Sequence, residues 1–121
     1  MRKKELTKEE RIRKEFLRLR RSFKDIEKGK KHVVEGLLHR AAFMRITLED
    51  FEEDINENGT TELFSQSETQ TPYERARPVV GFYNTTNKNY QGIIKQLSDL
   101  LPDSKKEQTL QEIVKGLEKP N

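Results

Sequence analysis

The chain has no cysteine, so neither disulfides nor thiolate metal sites are open to it. Long apolar runs are also missing. None exceeds a few residues, which argues against a secretory signal or a transmembrane span and leads us to expect a soluble, intracellular protein. The constellations of catalysis are absent too: there is no G-x-x-x-x-G-K-[ST] phosphate loop and no Ser/His/Asp set, so no enzyme class suggests itself. Hydrophobic residues make up only 31% of the 121 residues and charged residues 37%, against roughly 45–50% and 25% in ordinary globular domains. So polar a chain is expected to form one domain with tails, or one small domain plus an arm, and to bury part of its apolar surface in neighbours.

What is present is charge, unevenly spread. Residues 1–45 carry 16 basic and 7 acidic groups, residues 46–74 carry 9 acidic and no basic groups, and residues 75–121 carry 8 basic and 5 acidic groups. Such asymmetry fits a polyanion partner for the basic end. It fits equally well two blocks that neutralise each other, within a hairpin or between subunits.

Apolar spacing then divides the chain. Residues 1–6 read as a basic tail and residues 7–58 as a helical hairpin. Thr7 and Glu10 match a capping box. Ile12, Phe16, Leu19, Phe23 and Ile26 follow at threes and fours on one face of a first helix, with Arg13, Lys14, Arg18, Arg20, Arg21, Lys24 and Lys28 on the other. Gly29 is the expected break, because glycine weakens a helix interior. A second helix over 31–58 carries Val34, Leu37, Leu38, Ala41, Met44, Leu48, Phe51 and Ile55 and stops at Asn58-Gly59. Residues 59–76, rich in Ser, Thr and Gln, read as a polar loop that Leu63 and Phe64 pin to a neighbour.

The longest single-period stretch is 77–102, with Val79, Phe82, Tyr83, Thr86, Tyr90, Ile93, Ile94, Leu97, Leu100 and Leu101 along one side. Pro78 is expected to start this helix or to kink it. The stripe is too wide for the rest of so small a chain to cover, so it is expected to be an oligomer interface, carried by Val79, Phe82, Tyr83, Tyr90, Ile94 and Leu97. Residues 103–121 read as a short helix over 105–117 and a tail. The fold class expected is all-α.

The basic residues Arg13, Lys14, Arg20, Arg21, Lys24, Lys28, Lys30 and Lys31 are the candidate DNA contacts, since a cationic helix face can track a phosphate backbone. Other clusters are weaker candidates. His32, Glu35 and His39 fall near one helix face but lack a fourth ligand for a metal. The acidic run Glu49, Asp50, Glu52, Glu53, Asp54 and Glu57 lies mostly on the expected solvent side with no paired base, so a solvated face is the simpler reading.

Two blocks, EGLLHRAAFMRITLEDFEEDINENG (35–59) and RPVVGFYNTTNKNYQGIIKQLSDLLP (77–102), resemble the small subunit of a tailed-phage DNA-packaging terminase. The most specific pieces are AAFMR (41–45), L-E-D-F-x-x-D-I-N-x-N-G (48–59), and F-Y-N, N-Y and K-Q-L-x-D-L-L-P within 82–102. The likeness extends over about residues 10–103. It implies a non-enzymatic helical subunit, without a cofactor, that assembles into a ring in the cytoplasm of the infected bacterial host. There it would bind double-stranded phage DNA near the packaging start and recruit or regulate the large terminase subunit, which carries the ATPase and the nuclease. From the residues alone two other readings stand: a dimeric helical DNA-binding regulator, for which no recognition helix stands out, and a structural oligomer whose charges serve assembly.

Overall fold

The structure, a computed structural model, describes residues 5–117. Four helices and one β-hairpin follow one another: α1 (Lys8–Ser22), a 3₁₀ turn (Lys28–Lys30), α2 (Lys31–Asn58), β1 (Thr61–Phe64), β2 (Tyr73–Ala76), α3 (Pro78–Asp99) and α4 (Asp103–Leu117). The fold is broadly all-α, as expected, with a small two-stranded sheet added.

Helix α1 begins at the expected capping box. The Glu10 amide donates to Thr7 Oγ1 at 3.1 Å and the Thr7 amide donates to Glu10 Oε1 at 3.4 Å, so two otherwise orphaned donors are satisfied. The helix ends earlier than its apolar spacing implies. Phe23 and Ile26 lie beyond it, in the turn, yet both are buried. Burial in a connection obeys the same spacing as burial on a helix when the chain stays against one core, which is why periodicity overran the helix end. Helix α2 closes at Gly59, whose positive φ of 79° suits glycine and whose amide donates to the Ile55 carbonyl at 2.8 Å.

Helix α2 packs on α1 along one side and on α3 along another, and α4 rests on the ends of α1 and α3. Ala41 and Ala42, both fully buried, present little bulk where α2 meets its neighbours. The core joins Phe16, Leu19, Phe23 and Ile26 to Val34, Leu38 and Leu48 of α2, to Tyr90, Leu97 and Leu101, and to Ile113 of α4. Leu19, Leu38 and Leu97 are its largest completely enclosed side chains.

The expectation for the long helix is therefore corrected at two positions. Tyr90 and Leu97 are 6% and 0% exposed within the single chain, so the hairpin and α4 cover them and no second subunit is needed there. Of the other interface candidates, Val79, Tyr83 and Ile94 are half-buried, and Phe82 is 63% exposed.

Residues 59–76 also differ from the expected polar loop. Strands β1 and β2 pair antiparallel with Glu62 opposite Arg75 and Phe64 opposite Tyr73. The Arg75 guanidinium lies 3.4 Å from the centre of the Phe64 ring, whose edge-to-face partner is Tyr73. Leu63, by contrast, is 75% exposed. Four-residue strands offer too little alternation to register in sequence, and cross-strand pairs are non-local.

Arg77 ties the base of this hairpin to the helices. Its guanidinium donates to both carboxylate oxygens of Asp54 at 2.9 and 3.0 Å and to the Gly59 carbonyl at 2.7 Å. The Asp54 carboxyl is held below the usual aspartate range, first by a hydrogen bond from Asn58 and then by Arg77. A depressed folded-state pKa means that this contact favours the fold above the ordinary aspartate value, and that the contribution is lost as pH falls through the lower folded value. The Asp54 side-chain carbon resonance is thus expected to titrate with a midpoint below the ordinary aspartate value. Asn58→Ala and Arg77→Ala should each move its midpoint part of the way back. An unshifted Asp54 in the wild type would remove the clamp.

Candidate nucleic-acid interface

Winding α1 at about 100° per residue sets Lys14 and Arg21 opposite Phe16 and Leu19 and Arg13 and Arg20 on the flank nearer Phe16, and Lys24 follows in the turn just past the helix end. All five side chains are exposed, as are Lys28, Lys30 and Lys31 in the turn and at the start of α2. Lys14, Arg20, Arg21 and Lys24 line one shallow groove along the outer side of the helix and the turn. Arg20 and Lys24 also share a second hollow with Lys31, floored by Phe23, Ile26, Val34 and Leu38. The fold therefore brings cations from both arms of the hairpin to one end, which one helix period could not reveal.

Whether this face is free depends on where the acidic segment finds its counter-ions. Asp50 accepts from Arg11 at 2.7 Å and lies 3.7 Å from Lys8; Glu49 is reached by Arg11 at 3.4 Å and by Arg45 at 3.2 Å. The Arg11 pKa is raised, chiefly through its hydrogen bond with Asp50 and against the opposing effect of partial burial. Asp54 is taken by Arg77, and Glu52 accepts the Tyr83 hydroxyl proton at 2.8 Å, which raises the Tyr83 pKa. The acidic run is thus not a uniformly solvated face: Glu49, Asp50, Glu52 and Asp54 are half-buried and paired, and only Glu53 and Glu57 are exposed.

None of those partners is a candidate DNA contact. Among the described residues, Arg13, Lys14, Arg20, Arg21, Lys24, Lys28 and Lys31 form no salt bridge, and Lys30 reaches only Glu27, at 3.7 Å within its own turn. The two charge blocks do meet, but through Lys8, Arg11 and Arg45. Arg18, on the polar side of α1 by spacing, is engaged elsewhere. It holds Glu15 through two hydrogen bonds of 2.7 Å, and that contact raises its pKa. Asp25, beside Lys24, is claimed by Lys105 of α4, which lowers its pKa.

The remaining clusters hold no comparable arrangement. His39 stacks on Phe16 with ring centres 3.9 Å apart and planes 11° from parallel, while His32 and Glu35 are exposed. Among the described residues no group of three or more His, Asp and Glu side chains is placed to hold a metal ion. No helix among them is long and apolar enough to cross a membrane.

Compared with family models, with curated proteins and with solved structures, the chain gives no match.

Proposed function

We propose that this chain is a non-enzymatic DNA-binding subunit of the small-terminase kind. It would bind double-stranded phage DNA through the cationic end of the α1–α2 hairpin, assemble into a ring, and recruit or regulate the large terminase subunit in the cytoplasm of the infected bacterium. The observation that carries the DNA contact is the pairing pattern: the acidic segment draws on Lys8, Arg11, Arg45 and Arg77, and the eight candidate cations are left facing solvent. An uncompensated cationic surface has its largest favourable interaction with a polyanion. The packaging role rests on the resemblance of residues 35–59 and 77–102.

Assembly on this reading uses the outer side of α3. Phe82 is exposed there, Val79 and Tyr83 are half-buried, and a groove beside them between α2 and α3 is lined by Phe43, Met44 and Thr86. Phe43, itself 53% exposed, adds apolar surface to the same pair of helices.

Fluorescence anisotropy with a labelled duplex across a salt series tests the DNA contact. If most of the eight cations meet phosphates, log Kd against log salt should be steep, with a slope of about 0.9 per contact. Native mass spectrometry of the same sample should show a closed multiple of the 14.3 kDa chain. Salt-insensitive or undetectable duplex binding would refute the DNA contact, and a monomer or dimer at all concentrations would refute the ring.

A further inference from the structure

Leu17 occupies an unusual place. At about 100° per residue, Arg20, Arg13, Leu17, Arg21 and Lys14 fall in that order across an arc of roughly 120°, with Leu17 at its middle, and Lys24 follows in the turn just past the helix end. It is 41% exposed, and the stems of Lys14, Arg20, Arg21 and Lys24 form a shallow groove with it. Every other large apolar residue of α1 turns toward the core: Ile12 is half-buried, and Phe16 and Leu19 are buried. The exposed acids Glu9 and Glu10 are confined to the first turn, so the cationic arc begins only at Arg13.

We propose that α1 enters the major groove of duplex DNA from Arg13 onward, and that Leu17 makes apolar contact with a thymine methyl at the groove floor while the flanking cations hold phosphates on either side. This rests on the DNA-binding reading above and adds to it an element, a groove and a base-contacting side chain. The dimensions agree. A helix with its side chains is about 10–12 Å across, and the major groove is about 12 Å wide and 8.5 Å deep. The centre of an inserted arc faces the base edges, and its margins face the two backbones. Cations at the margins position the helix without reading sequence. Of the groups on the major-groove edge, the thymine 5-methyl is the one that an aliphatic side chain can recognise. The five-residue arc matches that division of labour, with charge at both margins and one apolar side chain between them. An acidic helix of a protein partner would also meet the cations, but it would present no regular pair of charged rims on either side of an apolar floor.

The test uses two duplexes of about two helical turns, one of alternating A·T pairs and one with every thymine replaced by uracil, which removes the methyls and keeps charge and pairing. Anisotropy is measured with the full chain in its assembled state, at several salt concentrations. The wild type should bind the thymine duplex more tightly, by about fourfold for each contacted methyl, the equivalent of burying one such group. Leu17→Ala should bring the thymine-to-uracil ratio close to one and leave the salt slope unchanged. Lys24→Ala should weaken binding to both duplexes alike, lower the slope by about one, and keep the ratio. Leu17 is exposed, so its alanine variant should keep wild-type helicity, checked by circular dichroism. A ratio of one in the wild type with a steep salt slope would overturn the methyl contact while leaving the DNA-binding reading intact. A ratio that survives in Leu17→Ala would overturn it as well, by placing the methyl contact on another residue. Absence of salt-dependent binding to either duplex would overturn both, and leave an acidic protein surface as the partner of this face.

Discussion

Leu97→Asp is expected to unfold the chain, and not merely to divide an assembly into smaller folded pieces. Leu97 has no exposed surface in the single chain and belongs to one core with residues from α1, α2 and α4. Replacing it removes a buried leucine, worth about 2–5 kcal/mol in large-to-small substitutions, and also asks the interior to hold a carboxylate with no partner. Small domains have only about 5–15 kcal/mol in all. Circular dichroism should therefore show loss of most helicity, or a sharply lowered denaturation midpoint. Phe82→Asp is the informative contrast. Phe82 sits on the same helix but is 63% exposed, so its aspartate variant should keep the helical spectrum and lose mass in light scattering if α3 carries the subunit interface. If Leu97→Asp stays fully folded and only the assembly breaks up, the core assignment of α3 is wrong.

The combined variant Arg20→Ala, Arg21→Ala, Lys24→Ala and Lys31→Ala should lose roughly 30- to 900-fold in duplex affinity near physiological salt. This follows from four exposed ionic contacts at roughly 0.5–1 kcal/mol each. The log–log salt slope should fall by about four. Stability should change little, because none of the four takes part in a salt bridge among the described residues and all are exposed. Arg11→Ala is the matched control. It removes a cation from the same helix, but one bound to Glu49 and Asp50, so it should lower stability while leaving the salt slope almost untouched. An unchanged slope in the fourfold variant, or a slope lost in Arg11→Ala, would move the DNA contact away from this face.

Much of the framework is legible from local rules. The capping box at Thr7, the stop at Gly59 and the start of α3 at Pro78 are each set by a few adjacent residues, through backbone donors, a left-handed φ and a fixed φ respectively. The apolar stripes of α1, α2 and α3 likewise appear as threes and fours, because a helix forces that spacing on any buried face.

Which neighbour covers a stripe is a different matter, and periodicity is silent on it. Tyr90 and Leu97 read as a surface for another subunit, and became core because α3 packs along α2 and meets α4, so that both side chains join one cluster with residues of α1, α2 and α4. The hairpin at 61–76 depended on Arg75 covering Phe64 and on Arg77 reaching Asp54, contacts between residues 11 and 23 positions apart. Which cations pair with the acidic block was decided in the same way. Composition placed basic and acidic blocks in one chain, but the choice of Arg11, 39 residues from Asp50, over Arg20 or Lys24 was made by the helix crossing. Ion pairs form where packing brings side chains within a few ångströms, and that distance is a property of the folded chain that no run of sequence contains.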